Sequence, residues 1–473
     1  MDFAKAKYTA VISDLHLCEA EPEPRRHPLW KKFKTSEFFF DQQFKDFLHG
    51  IEDRAQGEKV ELVLNGDIFD FDGVTSYPKD APFRVNYFEK VRGLFPQPEK
   101  SVYKVTRILE EHKLFFTSLA EFIERGHRAI FIIGNHDVEL LYRDVQNTVM
   151  EFLNLSPEAK NRIQFNEWFY ISNHDTLIEH GNQYDPYCLC EDPVHPFIRR
   201  YNYTSMRLPF GNLACRWIMN GMGFFNPHVE GNYIMSMKQY LIFFFKYIIR
   251  VQPMLIWTWF WGAIATLAHA TVDRFAERVK NPIDYEMRIE EVARKANTSA
   301  KVVHQLKELF VDPASNNPIL LARELWLDRA FIILAAMIFI YSILLIVNAV
   351  FHISLLWAIF PLLLLFPLFI FYSKSIRSLV SEYKEPSDRV LQIESEITGV
   401  GRVIYGHTHI VRHEFRGNIE HLNSGTWSPA FRDVECTQSI ETKTFIWIEP
   451  SVEESQTRTA KVFRYKERKF ESL

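Results

Sequence analysis

Residues 8–17 read Tyr-Thr-Ala-Val-Ile-Ser-Asp-Leu-His-Leu, an apolar run that stops at Ser13 and then offers an aspartate and a histidine two positions apart. Short runs rich in Val, Ile and Leu suit strands buried on both faces. On an extended backbone, residues two apart project from one face, so Asp14 and His16 are expected to reach a single metal ion. Val60–Asn65 is a second such run and leads into Gly66-Asp67-Ile68-Phe69-Asp70. Ala129–Ile133 is a third and leads into Gly134-Asn135-His136-Asp137. A fourth candidate strand, Asp175–Glu179, stands directly before His180. Far downstream, Val403–Tyr405 precedes Gly406-His407-Thr408-His409, again with two imidazoles two positions apart. Thr35–Ile51 and Val105–Arg125 carry apolar residues at helical spacing, and strands separated by helices predict layered α/β packing. Ile419–Leu422, Thr444–Ile448 and Ala460–Arg464 are further strand candidates.

Composition points to a second kind of structure. At 473 residues the chain is far longer than one domain of ~150 residues. It holds 41 Phe and 10 Trp, yet its mean hydropathy is only −0.14, so the apolar residues must be concentrated locally. A net charge of −4 gives no global attraction to nucleic acid or to acidic membranes. Five cysteines, of which Cys188 and Cys190 form an unaccompanied C-x-C pair, exclude a disulfide framework and read as ordinary thiols. No apolar run of signal-peptide length precedes Asp14, so we read a cytoplasmic start.

The concentration lies in the middle. The 22 positions Val251–Val272 and the 21 positions Ala330–Val350 carry no charged residue, and Leu355–Tyr372 adds 18 more. An uncharged stretch of about 20 residues is what a bilayer core requires. Ala330–Val350 and Leu355–Tyr372 are therefore expected to form a transmembrane helical hairpin, with Pro361 and Pro367 kinking its second arm. Arg323 and Arg329 precede it, Lys374 and Arg377 follow it, and its tip has no Lys or Arg, which places both feet in the cytoplasm. Asp273–Arg329 is densely charged and reads as soluble helices on that side. Val251–Val272, with Trp257, Trp259 and Trp261, either crosses with Tyr233–Ile249 as its partner or lies flat in the interface.

Together, D-x-H, G-D-x-x-D, G-N-H-D, H and G-H-x-H resemble the motif set of the calcineurin-like metallophosphoesterase superfamily. The resemblance implies a four-layer α/β/β/α metallophosphoesterase sandwich, here interrupted by a helical transmembrane insertion. It implies two divalent metal ions, Mn²⁺ first, with Fe or Zn²⁺ as alternatives. One ion would be held by Asp14, His16, Asp67 and His409, and the other by Asp67, Asn135, His180 and His407. His136 would contact the substrate phosphate, with Asn135 beside it, and Asp70 would orient His136. The chemistry agrees: imidazole, carboxylate and amide oxygen suit such metals, and a hydroxide shared between two cations can attack phosphorus in line. The expected division is 1–232 and 386–450 for the two parts of the catalytic domain, 233–385 for the membrane-associated insertion, and 451–473 for a polar tail.

Departures narrow the substrate. Phe71 and Asp72 follow the G-D-x-x-D motif where Ser/Thr protein phosphatases have Arg. Ser-Asp-Leu-His-Leu at 13–17 is similar to the UDP-2,3-diacylglucosamine pyrophosphatases, whose third motif usually has Arg at the position of His136. Gly-Asp-Ile-Phe-Asp with Gly-Asn-His-Asp is also similar to exonucleases of double-strand-break repair, but apolar spans and a near-neutral charge argue against a nucleic-acid partner. His180 and His407 are 227 positions apart and would share one metal, so the chain must cross the membrane an even number of times between them. We therefore expect a phosphoester substrate with a lipid tail, met at the cytoplasmic membrane face, with Arg199 and Arg200 as candidate head-group contacts. The alternatives are a membrane-tethered nucleotide phosphodiesterase and a sensor or scaffold carrying the module. Oligomeric state is left open, and Val74–Lys100 is a candidate cap over the site.

Overall fold

The computed structural model describes residues 5–22, 29–80, 82–200, 203–223, 242, 244–249, 254–279, 282–352, 354–375, 385–433, 435–440, 442–451 and 458–473. Four strands come first, Tyr8–Ile12 (β1), Val60–Asn65 (β2), Arg128–Ile132 (β3) and Ile163–Asn166 (β4), paired in parallel in that order. Phe169–Ser172 (β5) and Thr176–Glu179 (β6) form a hairpin that starts a second sheet. Phe197–Arg200 (β7), Tyr203–Met206 (β8) and Glu277–Arg278 (β9) form a small separate sheet. Arg402–Tyr405 (β10), Arg412–Arg416 (β11) and Ile419–Asn423 (β12) complete the second sheet in the order β11-β12-β10-β6-β5. Ala430–Phe431 (β13) and Ser439–Ile440 (β14) pair with each other. Thr444–Pro450 (β15), Arg458–Lys466 (β16) and Lys469–Ser472 (β17) return to the first sheet, which reads β17-β16-β15-β1-β2-β3-β4. The segment expected as a polar tail thus supplies two strands, β15 pairing over its whole length with Arg458–Arg464 of β16.

Strand alternation sets the layers. In β1 and β2, Ala10, Ile12, Leu62 and Leu64 face a core shared with helices Asp41–Arg54, Pro98–Glu111 and Lys113–Glu124, while Val11 and Val63 face the other way. Val11 and Val63 meet Tyr170, Ile178, Ile404 and Leu422 of the second sheet. That sheet turns Leu177, Val403 and Tyr405 outward onto helices Pro282–Lys295, Ala300–Lys307 and Asp388–Thr398. Period-two side-chain direction therefore builds helix, sheet, sheet and helix in order. The charged stretch expected as soluble helices forms a layer of the sandwich, where Ile289, Val292, Val303 and Leu306 are buried.

Helices Leu327–Phe351 and Ile359–Ser375 pack side by side as a hairpin. The Tyr372 hydroxyl donates to Asp328 at 2.9 Å and ties its feet together. Its surface inverts the rule of a soluble core, for Phe339 is 65% exposed and Ile346 71%. Pro367 lies inside the second arm; Arg377 lies outside the described residues.

Helix Leu255–Arg274 behaves differently. Leu255, Gly262, Ala263, Thr266, Ala270 and Asp273 are buried along its whole length. That face packs on the π-helical turn Cys215–Met219, and a methyl group at Gly262 would meet the Trp217 carbonyl at 2.8 Å. Ile256, Trp257, Trp261 and Val272 stay exposed on the opposite side. Residues 233–241 of its expected partner, and Arg250, lie outside the described residues.

Candidate metal centre

The loops after β1 and β2 run alongside each other. Asp14 N donates to Gly66 O at 3.1 Å, His16 N to Asp67 O at 2.9 Å, and Asp70 N to Leu17 O at 2.8 Å. The strands themselves end at Ile12 and Asn65, and Asp14, His16 and Asp67 take φ of 54°, 49° and 49°. His407 and His409 do the same after β10, at 64° and 61°. Asp14 and His16 thus converge by alternating left-handed turns, not by the extended geometry expected from their spacing. Non-glycine residues seldom adopt this region, and strain of this kind gathers at functional sites.

These turns bring the expected side chains together. His409 Nε2 lies 3.1 Å from Asp14 Oδ1 and 3.4 Å from His16 Nε2. His180 Nε2 lies 3.2 Å from Asp67 Oδ2, which is also 4.0 Å from His16 Nε2. Ligand atoms of Asp14, His16 and His409 lie within 4.8 Å of one another, as do those of Asp67, His180 and His407. Asp67 thus belongs to the second group and faces His16 of the first. Asn135 Oδ1 is buried with no hydrogen-bond partner among the described residues, an acceptor with nothing to accept from. Nitrogen and oxygen donors with an orphaned amide oxygen fit divalent cations of the Mn²⁺, Fe and Zn²⁺ kind.

Small residues make the approach feasible. Gly66, at φ 79°, lies where a Cβ would enter the His180 ring, and a Cβ at Gly134 would strike Asp67 Oδ1. Asp137 pins both loops, accepting from Gly134 N at 2.6 Å and Ile68 N at 2.7 Å. Burial, then the neighbouring Asp67, pushes its carboxyl up to about 7.

Electrostatics mark the site as a sink for positive charge. Burial opposes ionisation of Asp67, but His180 and His136 outweigh it and hold its carboxyl well below the usual range. Burial likewise opposes charge on His180, and Asp67 and Asp14 outweigh it, raising the imidazole to about 9. His136 stands at the rim. Its backbone N donates to Asp67 Oδ1 at 2.7 Å, and its Nδ1 lies 3.6 Å from Asp70 Oδ1. Burial is again outweighed, here by Asp67 and Asp70, and its imidazole rises to about 10.

Arg199 and Arg200 lie elsewhere, on β7. Arg199 is exposed and Arg200 is paired with Asp273; among the described residues no contact joins either to the cluster. Three residues near the centre escaped the sequence reading. Asp185 Oδ2 lies 3.1 Å from His407 Nε2 and groups with it and Cys188, whose thiol burial pushes up. Asn212 Nδ2 donates to Asn135 O and to Asp72 Oδ2, both at 2.8 Å. Arg216, 1% exposed, donates to Asp72 Oδ1 at 2.9 Å. Asp72, noted in sequence only as a departure, therefore anchors the Cys215–Met219 turn beside the metal cluster. The contacts to His407, Asn135 and Asp72 have no local sequence signal, since the partners are 77 to 222 positions apart.

Residues 8–204 match the family model of the calcineurin-like phosphoesterases. That segment is therefore similar to a calcineurin-like phosphoesterase domain. The matched span contains Asp14, His16, Asp67, Asn135, His136 and His180, while His407 and His409 reach the same cluster from beyond it. Among curated proteins, none matches the chain.

Proposed function

We propose that the chain is a binuclear metal-dependent hydrolase of a phosphodiester or pyrophosphate bond, acting on a lipid-linked substrate at the cytoplasmic membrane face. The observation that carries this reading is the convergence of six His and Asp side chains on two adjoining clusters around Asp67. Asp14, His16, Asp67 and His409 would hold one cation, and Asp67, Asn135, His180 and His407 the other. When bound, two such ions supply charge neutralisation at phosphorus and an acidified water. His136, oriented by Asp70, holds a proton on the side from which an ester oxygen departs. Asn212 fixes the Asn135 backbone so that its amide oxygen points inward.

The membrane half of the proposal rests on exposure. By length and composition, Leu327–Phe351 can cross a bilayer, and only 11% of its apolar window is buried. Ile359–Ser375 is the shorter return arm, which makes two crossings and returns the chain to the side it left. Leu255–Arg274 passes the same test of length, but with one face sealed onto the catalytic body it is better placed in the interface plane. Its buried face abuts the Cys215–Met219 turn, whose Cys215 and Met219 line a cleft shared with His136. On this reading the membrane surface would lie close to the reacting groups.

The test is hydrolysis by purified Mn²⁺-loaded protein, with Asp67→Ala as control, on matched lipidated and water-soluble diesters and pyrophosphates in mixed micelles. Preferential turnover of the lipidated set is expected. Equal turnover of the soluble set would reduce the hairpin to an anchor and sink the lipid assignment.

A further inference from the structure

An imidazole has two nitrogens, and a histidine that ligates a metal through one needs a partner for the proton on the other. His180 shows the arrangement. Its Nδ1 lies 2.9 Å from the Asn65 carbonyl oxygen, which can only accept. The proton therefore sits on Nδ1, and Nε2 is left to face Asp67 Oδ2 at 3.2 Å. His407 is held from the opposite nitrogen. Its Nε2 lies 3.1 Å from Asp185 Oδ2, while the residue also groups with Asp67 and His180.

The loop that carries Asp185 is stiff. It follows the 3₁₀ turn Asn182–Tyr184, and Asp185 Oδ1 accepts from Tyr187 N at 2.8 Å. The Asp185 carbonyl accepts from Leu189 N at 2.9 Å and Cys188 N at 3.1 Å. Segments remote in sequence pin the loop from outside. Ala314 N donates to Pro186 O at 2.7 Å and Gly211 N to Tyr187 O at 2.8 Å. The Tyr187 hydroxyl donates to Glu324 at 3.0 Å. Asp185 is 6% exposed, so one carboxylate oxygen is used by the turn and the other is aimed at the His407 ring.

We propose that Asp185 is a positioning residue for the second cation: it accepts the Nε2 proton of His407, fixes that tautomer and leaves Nδ1 as the ligand atom. This rests on the binuclear reading. A neutral imidazole with its proton on Nε2 carries its lone pair on Nδ1, and a carboxylate at the proton raises the basicity of that lone pair. Asp185→Asn separates this role from a merely structural one. Tyr187 N still requires an acceptor, so the amide oxygen takes the place of Oδ1 and the amide nitrogen faces His407 Nε2. That nitrogen can only donate, which moves the ring proton to Nδ1 and blocks it.

The experiment is calorimetric titration of Mn²⁺ into the detergent-solubilised full chain. Wild type is expected to bind two ions. Asp185→Asn should keep the affinity for the ion at Asp14, His16 and His409 and weaken the other about 10- to 100-fold. Asp185→Ala, which leaves the tautomer free, should weaken it no more than Asn does. No loss in the Asn variant, or an equal loss at both sites, overturns the assignment. So does a second ion better retained by Asn than by Ala, which would make Asp185 itself a ligand. A third ion bound by wild type and lost in Cys188→Ser also overturns it, because Asp185, Cys188 and His407 would then hold that ion. A wild type that binds fewer than two ions sinks the binuclear reading, whereas every other outcome judges Asp185 alone.

Discussion

The α/β sandwich and the 327–375 hairpin are built from similar residues with opposite accounting. In the sandwich, Phe44 is fully buried and stacks on Phe115 with ring centroids 3.7 Å apart. In the hairpin, Phe339 and Ile346 face outward. The sandwich hides its apolar groups and gathers polar ones into one buried cluster, whereas the hairpin shows apolar groups on nearly every side. A surface of that kind is stable only where the solvent is itself apolar. The contrast teaches that the two regions dispose of their apolar side chains differently, and it is the exposed hairpin on which the membrane proposal rests.

The largest effect that would sharpen the contrast is at Asp67, which stands in both halves of the cluster. Asp67→Asn should lower turnover at least about a thousandfold, the several kcal/mol that a lost metal is worth. Membrane retention should not change. Metal content by mass spectrometry and retention after alkaline washing are the two readouts. A variant that loses both would show that site and hairpin are not separable.

Next is one substitution made in both regions. Phe44→Ala should cost about 3–5 kcal/mol of unfolding free energy. Phe339→Ala should stay within about 0.5 kcal/mol, as at exposed positions. Denaturant unfolding of the solubilised chain measures both, and equal costs would mean that the hairpin packs against something in solution. Ile346→Lys goes further. At a membrane-centred position it should disfavour insertion by about 3 kcal/mol, seen as protein lost from the membrane fraction. Unchanged retention would place the hairpin outside the bilayer.

Much of the site was legible because each cluster ends an apolar strand, and a buried parallel strand writes itself as a continuous run. The reason offered for Asp14 and His16 was nonetheless wrong, since left-handed turns leave no mark on residues other than glycine. The orientation of Leu255–Arg274 was harder to read because its mean apolarity hides its packing face. The signal was present in Gly262, Thr266 and Ala270, small residues at spacings of four that admit a neighbouring backbone. Arg216 was illegible for another reason: its buried charge is specified by Asp72, 144 positions away. The strand Arg458–Lys466 was glimpsed only at its centre, because charged residues interrupt its apolar positions.

The smallest effect tests the same contrast through pH. Glu52, in helix Asp41–Arg54, meets Arg125 Nε at 2.7 Å and His127 Nε2 at 3.0 Å. Burial raises its carboxyl, but His127 and Arg125 outweigh burial and bring it down to about 2 from 4.5. A folded value below the unfolded one gives stability that is complete above the unfolded value and lost as pH falls through the folded one. Glu52→Gln should therefore be less stable than the parent near pH 6, with the gap closing between pH 4.5 and 2. Because Arg125 is 40% exposed, screening limits the gap to about 1 kcal/mol or less, and about 1 M salt should shrink it further. The stretch 330–350, which has no charged residue, offers no such pair, so unfolding signals confined to the hairpin should not follow this titration. Thermal melts from pH 2 to 7 with separate probes in each region decide it. A hairpin signal that tracked Glu52 would mean that the two regions unfold as one, and the division by solvent drawn above would fail.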